Sequence, residues 1–400
     1  MGKLKVLVAP SGFKEALGAE EIASAIARGV RRASGDVAVA ELPLVDGGEG
    51  FTETLVRITG GTMRHIRVTG PVGEPVDGFW GLLGDAPVPT AVIEMAAAAG
   101  LRLVPRHQRD PLVTTTYGVG ELIGAALDHG VKRILLGCGD SGTNDGGAGM
   151  AQALGIRLTD AAGQDIGRGG GALLDLATID LGGRDPRLDA VAIDVACNIH
   201  NVLCGPRGVA RVFGPQKGAS EDVVQRLESA LEHYAGVIEN ATGTDVRNIG
   251  GGGASGGLGA ALHALVGARL HSRYAIVMDY LDLDGQLEDA DLVFTAEGKL
   301  DAQTSRGKMP AEVGRRAKAR GIPVVALAGT IGQDAAVVHA DGIDAYFSVL
   351  VGPHTLDEAI ARTAEQVALS AEHVMRAILI GRRIGLRSGS GDGSGGHDPA

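Results

Sequence analysis

Leu42-Pro43-Leu44-Val45-Asp46-Gly47-Gly48-Glu49-Gly50 is the stretch from which the rest of the chain is best read. An apolar, strand-like run over residues 37–45 stops abruptly in two carboxylates, Asp46 and Glu49, set among glycines. Glycine admits a positive φ and lets a ligand approach the main chain. Carboxylates three residues apart at the exit of a buried strand contribute little to packing. They cap the following helix, or they serve chemistry. The device recurs: Asp145-Gly146-Gly147 follows a second apolar run and Glu297-Gly298 a third.

Working outward, Leu4-Lys5-Val6-Leu7-Val8-Ala9 predicts a buried parallel strand that ends in Pro10-Ser11-Gly12-Phe13-Lys14-Glu15. Ile22, Ala25, Ile26, Gly29 and Val30 follow at helical spacing, in a helix starting near Ala19. A strand over residues 37–44, the Asp46 loop and a helix carrying Leu55, Val56 and Ile58 come next, and Gly60-Gly61 stops that helix. This β-α-β-α order opens a doubly wound sheet. Ligands of such sheets sit beyond the carboxyl ends of the strands, the edge from which Lys14 and Asp46 leave.

The same rhythm returns near residue 292. A strand over 292–295 ends in Ala296-Glu297-Gly298-Lys299-Leu300-Asp301-Ala302-Gln303-Thr304. A helix from Pro310, strands over 323–328 and 345–349, and a helix over 356–379 follow. Between the two blocks, residues 66–71 and 76–83 read as antiparallel strands about a Gly-Pro turn. Residues 118–129 read as a helix, and 133–137 as a buried strand entering the loop 138–147. A strand over 190–196 carries Asp194, and a long amphipathic helix runs from an N-cap at Ser220 to about Ala241.

The expected fold is therefore α/β in two domains. A Rossmann-like doubly wound sheet domain, discontinuous in sequence, takes residues 1–65 and 286–385, and an inserted α/β domain with a mixed sheet takes 66–285. The Ser/Gly-rich residues 388–400 predict a disordered tail.

At 400 residues the chain exceeds a single compact core. Its 44% hydrophobic and 21% charged residues describe an ordinary globular protein. The 64 glycines are more than twice the usual share of about 7%. Aromatics at 3% leave few stacking platforms, and a net charge of −11 opposes a phosphate-backbone partner, so no nucleic acid is expected. A small anion can still bind in a local glycine nest. Three cysteines match no zinc spacing and fit a reducing cytosol. The chain opens directly into a strand with no signal peptide, and no apolar run approaches the roughly 18 residues of a membrane span. A cytoplasmic protein without a membrane partner is expected.

Gly137-Cys138-Gly139-Asp140-Ser141-Gly142 matches the dinucleotide fingerprint after a strand, and is the basis of an alternative reading as an NAD(P)-binding oxidoreductase. It runs on into Thr143-Asn144-Asp145 rather than opening a long helix, and in so glycine-rich a chain such matches come cheaply. Neither Gly298-Lys299 nor Gly307-Lys308 completes a Walker A loop, and HExxH and CxxC are absent. Gly251-Gly252-Gly253-Ala254-Ser255-Gly256-Gly257 runs into a helix over 260–266 and predicts an anion cradle of free amides at a positive dipole end. The remaining strand-exit loops hold Ser11 and Lys14, Asp46 and Glu49, Ser141 to Asp145, Asp194 and Asn198, and Glu297 to Lys308. Acids, lysines, hydroxyls and glycine cradles suit phosphoryl transfer. That reaction needs Mg2+ on carboxylates, cations or amides on phosphate oxygens, and a carboxylate near the attacking hydroxyl. The residues alone thus lead to a nucleotide-dependent transferase.

At these loops the chain resembles the glycerate kinase family of the bacterial glycerate 2-kinase type, from about residue 4 to 380. Phe13-Lys14-Glu15, Asp46-Gly47-Gly48-Glu49-Gly50, Val92-Ile93-Glu94-Met95-Ala96 and Thr143-Asn144-Asp145-Gly146-Gly147 carry the resemblance. Phe213-Gly214-Pro215-Gln216-Lys217-Gly218, Asp301-Ala302-Gln303-Thr304 and Gly307-Lys308 add to it, in order and at consistent separations. The resemblance implies ATP and Mg2+, D-glycerate as acceptor and a phosphoglycerate product, usually the 2-phospho isomer. It also implies a two-domain α/β fold with a discontinuous first domain.

Within that frame Gly251, Gly252, Gly253, Ser255, Gly256, Gly257 and Lys308 are expected to hold the triphosphate. Asp46, Glu297 and Asp301 are expected on Mg2+ or on the hydroxyl proton, with Asp46 ahead of Asp194 as general base. Lys14 and Lys308 would neutralise the transferred group. Ser11, Glu49, Ser141, Thr143, Asn144, Asp145, Gln303 and Thr304 are expected on the acceptor. A monomer or homodimer whose domains close on the substrate completes the expectation.

Four loops depart from the family pattern. Pro10-Ser11-Gly12-Phe13-Lys14 stands for Pro-Asp-Ser-Phe-Lys, and Gly139-Asp140-Ser141-Gly142-Thr143-Asn144-Asp145 for Gly-Gly-Ser-Ala-Thr-Asn-Asp. Cys197-Asn198 replaces Cys-Asp, and Thr295-Ala296-Glu297-Gly298 replaces Thr-Gly-Glu-Gly. An acid lost at 11 or 12 and one gained at 140 would relocate a metal site. They would equally suit a hydroxy-acid, sugar-acid or cyclitol acceptor, or a catalytically silent nucleotide-binding relative.

Overall fold

The computed structural model describes residues 3–13, 16–45, 47–306, 308–353 and 355–389. In chain order the strands are β1 (Leu4–Val8), β2 (Val37–Glu41), β3 (Thr62–Thr69), β4 (Pro75–Leu82), β5 (Thr90–Glu94), β6 (Arg133–Gly137), β7 (Arg157–Thr159), β8 (Thr178–Asp180), β9 (Ala192–Cys197), β10 (Arg269–Ser272), β11 (Leu292–Leu300), β12 (Val324–Ile331) and β13 (Ala345–Ser348). The chain divides into two compact units, residues 1–44 with 278–400, and residues 45–277.

The first unit holds a wholly parallel sheet of order β13-β12-β11-β1-β2. Numbered within the unit this is the doubly wound order 2-1-3-4-5, and the winding reverses between β1 and β11. Both faces of such a sheet are covered. On one, Val6, Val8, Phe294 and Leu327 pack under Ile22, Ile26 and Val30 of helix Ala19–Ala33 and under Val367, Ala371 and Met375 of helix Thr363–Gly389. These two helices cross at Gly29, where a Cβ would lie 2.1 Å from the Ala368 carbonyl oxygen and 2.9 Å from the Ala371 Cβ. Gly29→Ala is therefore expected to lower the melting temperature by several degrees. Overpacking costs about 1–3 kcal/mol and outweighs the roughly 1 kcal/mol that alanine gains in helix propensity. A scanning-calorimetry transition that stays put or rises would show that the second helix yields instead.

β11 overruns the strand expected over 292–295. Its ladder with β12 continues through Lys299↔Thr330 and Leu300↔Ile331, so Glu297 stands in a strand opposite Ala328 and not in a loop. Ala, Glu, Gly and Lys are poor strand formers, and pairing with β12 overrides that preference. The helix expected over 356–379 is two, Leu356–Ala361 and Thr363–Gly389, parted at Arg362. Residues 388 and 389 of the expected tail end that helix; 390–400 lie outside the described residues.

The second unit holds a mixed sheet of order β10-β9-β6-β5-β4-β3, in which β10, β9, β6 and β5 run parallel and β4 runs against both neighbours. Helix Glu221–Thr242 starts where the Ser220 Oγ accepts from the Val223 amide. It buries Leu227, Leu231, Tyr234 and Ile238 with Leu258 and Leu262 of helix Ala254–Val266. The division falls at 44/45, not at the expected 65/66, because helix Phe51–Ile58 lies on this second sheet. Its Val56 Cγ2 and Thr52 Cγ2 fill the space where a Cβ of Gly81 on β4 would be. Among the described residues no helix is long and apolar enough to cross a membrane.

Candidate active site

In the first unit the site grows from the winding reversal. Past the last ladder residue of β1, the Ser11 amide and hydroxyl both donate to the Ala296 carbonyl oxygen at 2.9 Å, and the Thr295 hydroxyl donates to the Ala9 carbonyl oxygen at 2.9 Å. Glu297 follows directly. Its Oε1 lies 3.1 Å from the Lys308 Nζ and its Oε2 accepts from the Thr304 hydroxyl at 3.3 Å. Asp301 pairs with Lys299 at 3.0 Å and accepts from the Gln303 amide at 2.9 Å, while its own amide donates to the Thr304 Oγ1 at 3.2 Å. Lys308 occupies the N-cap of helix Met309–Lys318, with Pro310 in the first turn. Ser11, Glu297, Asp301, Gln303, Thr304 and Lys308 thus converge at the carboxyl ends of adjacent parallel strands, the usual ligand position of such sheets.

The two carboxylates of this cluster are driven apart. Burial pushes Glu297 above its ordinary value, against the opposing pull of Lys308 and Thr304. Burial also acts on Asp301, but Lys299, the Gln303 amide and Lys308 outweigh it and hold the group below the ordinary range. Among the described residues no three His, Cys, Asp or Glu side chains gather where they could hold a metal ion. Lys14, Asp46 and Gly307 lie outside the described residues.

In the second unit a separate polar cluster forms at the carboxyl end of β6. Lys217, 2% exposed, donates to the Ser141 Oγ at 2.9 Å, the Thr143 carbonyl oxygen at 2.6 Å and the Asn144 Oδ1 at 2.9 Å. Burial pushes its pKa down to about 7, with Asp145 pulling the other way. Asp145 itself is fully buried and accepts from the Thr116 amide (2.7 Å) and hydroxyl (2.9 Å), the Thr115 hydroxyl (3.4 Å), and the amides of Gly147 (3.1 Å) and Gly149 (3.2 Å). Expected on the acceptor, Asp145 instead staples its own loop to residues 115–116. At the end of β5 the buried Glu94 accepts from the Thr52 amide at 3.0 Å, and desolvation pushes it up to about 7 against the Thr52 and Gly50 amides.

Several expectations are revised here. Asp194 is not at a strand exit but inside β9, where Arg133 (2.7 Å), Arg269 (2.9 Å) and His271 (2.8 Å) surround it. Burial would raise its pKa, yet Arg133, His271 and Arg269 hold it below the ordinary value, so it is a structural anion and not a base. The run 251–257 is a buried joint, not an open cradle. The amides of Gly251 and Gly253 donate to the Asn201 carbonyl oxygen, and those of Gly252, Ala254 and Gly257 to residues 249, 251 and 253. A Cβ on Gly256 would fall 1.9 Å from the Thr143 carbonyl oxygen, and Ser255, Gly256 and Gly257 all have φ in the left-handed region. Amides so occupied cannot cradle a triphosphate.

The glycines of the 137–142 fingerprint serve packing too. Gly139 faces the Gly48 Cα, and Gly142 faces Val104 and Leu101, where a Cβ would come within 2.6–3.1 Å. The extra acid, Asp140, accepts from the Glu49 amide at 3.0 Å, which ties the 47–50 loop to the end of β6, and Glu49 itself reaches Arg102 at 3.4 Å. Asn198 closes a local turn onto the His200 amide.

Lys217 and Glu94 had no role in the sequence reading, although both stand in quoted motifs. A lysine between glycines reads as a solvated turn, and only burial against three oxygens of one loop marks it. Glu94 was legible as a single acid closing an otherwise apolar strand.

The glycerate kinase family model matches residues 6–379. Glycerate 2-kinase of Escherichia coli (strain K12) is 48% identical over 380 residues, 95% of this chain and 99% of that protein. Glycerate kinase of Bacillus subtilis (strain 168) is 47% identical over 383 residues, 96% of this chain and all of that one. A crystal structure from Salmonella typhimurium LT2, assigned as a glycerate kinase 2, superposes with a TM-score of 0.83 at 47% identity, covering 95% of this chain and 99% of that chain. With strand-exit acids beside lysines and a match over nearly its whole length, the chain belongs to the glycerate kinase family.

Proposed function

We propose that this enzyme transfers the γ-phosphoryl group of ATP to D-glycerate and releases 2-phosphoglycerate, in the cytoplasm. One observation carries the acceptor and the position: likeness over 95% of the chain to a protein named glycerate 2-kinase. The three free cysteines, all buried, agree with a reducing compartment.

The chemistry rests on the first unit's cluster. Phosphoryl transfer depends on positioning and on charge stabilisation more than on covalent steps. Glu297 and Asp301 supply hard oxygen donors, and Mg2+ typically takes one or two carboxylates beside phosphate oxygens, so these two residues would hold it. When bound, the ion neutralises charge on the nucleotide's terminal phosphates. Lys308 offers a further cation to the moving group, and Lys14 a second. Asp46 is the proposed acceptor of the attacking hydroxyl's proton. In the second unit, Ser141 on the Lys217-held loop is the proposed contact of the acceptor.

The test is ADP release from ATP and Mg2+ with D-glycerate, L-glycerate, tetronates and cyclitols, with the product identified by 31P NMR. Turnover confined to another acceptor overturns the substrate assignment, and 3-phosphoglycerate as product overturns the position.

A further inference from the structure

Three oxygens of one loop surround the Lys217 Nζ, and none of them is charged. The Thr143 carbonyl and the Asn144 Oδ1 can only accept, whereas the Ser141 hydroxyl can donate or accept. An ammonium has three protons, one for each oxygen, and leaves the Ser141 proton unused. A neutral amine has two protons and one lone pair. Its protons must then go to the two carbonyl-type oxygens, and its lone pair takes the serine proton. The heavy atoms need not move, because only the direction of one hydrogen bond changes. Of the three partner residues Ser141 alone keeps measurable exposure, 9% against none for Thr143 and Asn144, so a reversal at Lys217 is felt outside at Ser141.

We propose that Lys217 is a positioning residue that sets the direction of the Ser141 hydrogen bond: as an ammonium it frees that hydroxyl to donate to an acceptor carboxylate, and as an amine it captures it. The proposal rests on the reading of loop 141–144 as part of the glycerate site. A carboxylate at Ser141 gains in the ammonium state both a donor and an attractive charge directly behind it. Because binding and protonation are reciprocally linked, such a ligand also draws a proton onto Lys217.

Burial places the exchange near neutrality, with the Lys217 pKa pushed down to about 7 and opposed by the Asp145 carboxylate. The other charged or titratable groups facing it are few. Tyr234, on helix Glu221–Thr242, is pushed up by burial and by Asp145 and stays a neutral phenol. Arg109, whose carbonyl oxygen and Cβ pack against Gly218, is a permanent cation. The effect on stability has the opposite sign. Between about pH 7 and the ordinary lysine value the unfolded chain binds more protons, so stability contributed by this group rises with pH. A weakening of binding over that window cannot be assigned to loss of the fold.

Steady-state kinetics between about pH 6 and about pH 9 tests the switch. The KM for D-glycerate should rise about tenfold in the wild type, as one charge-assisted hydrogen bond is lost. Ser141→Ala should show a raised KM with a clearly shallower slope, the part that the Lys217 charge alone supplies, and titration of the nucleotide, common to both, divides out. A flat wild-type profile, or the same slope in Ser141→Ala, overturns the proposal. If D-glycerate is not turned over at any pH, the acceptor assignment fails separately, and the 13C NMR titration of the Lys217 ε-carbon decides. That resonance is identified by its absence in Lys217→Met. A midpoint near neutrality that moves in Ser141→Ala sustains the switch, and one near the ordinary value of about 10.4 overturns it.

Discussion

Replacing Lys308 with methionine should lower kcat roughly 10²–10³-fold and leave the KM for D-glycerate within about threefold. The Lys308 Nζ stands 3.1 Å from Glu297 at the cap of helix Met309–Lys318, beside the strand exits where the phosphoryl group is proposed to move. A cation in that place acts mainly on charge that develops during transfer, so its loss falls on kcat. The substitution has a second consequence. Lys308 is the main influence opposing the burial that already lifts Glu297 above its ordinary value. Without it the carboxyl rises further, so the residual activity should be more sensitive to acid than that of the wild type. ADP release followed over D-glycerate concentration and over pH checks both statements, and Lys308→Arg should restore part of the rate. A loss smaller than about tenfold would remove Lys308 from the transferring step.

The other large effect is on stability. Asp145→Ala removes the acceptor for three buried amides, those of Thr116, Gly147 and Gly149, and for two hydroxyls. Breaking such a buried network costs about 3–5 kcal/mol, which for a unit of this size is a melting transition about 10 °C lower. Asp145→Asn keeps one acceptor oxygen but turns an NH2 toward donors, so it should fall between the two. Calorimetry reads this directly. An unchanged transition together with lost activity would show that the carboxylate faces the substrate and not the loop.

The alternation of apolar runs and helical periodicity made the first unit legible at both ends, since β1, helix Ala19–Ala33 and β12 each announce themselves by spacing. The extension of β11 through Glu297 was not legible, because it depends on a partner strand and not on its own residues. The same holds for β10, whose register is set by β9. For the site, spacing singled out Glu297, Asp301, Gln303, Thr304 and Lys308, which do converge. It misled at 251–257, where a glycine run with amides already bonded to Asn201 looks the same in sequence as one with free amides. Asp194 failed in a similar way. Its partners Arg133, Arg269 and His271 come from two other strands, and nothing near it in the chain reveals them.

The pairing of β1 with β11 also sets a timetable for synthesis. β1 and β2 leave the ribosome first and can pair with each other, but the other edge of β1 has no partner until Leu292–Leu300 has been made. Translation runs at about 5–20 residues per second, so the intervening residues 45–277 keep that edge waiting for roughly 10–50 s. During that interval the second unit, whose strands are contiguous in the chain, can complete its own sheet. An unpaired central strand is a template for any passing extended segment. The interval is therefore when a nascent chain of this design most needs a chaperone. A circular permutant that made the two halves of the first unit contiguous would shorten the wait without altering a single contact in its finished sheet.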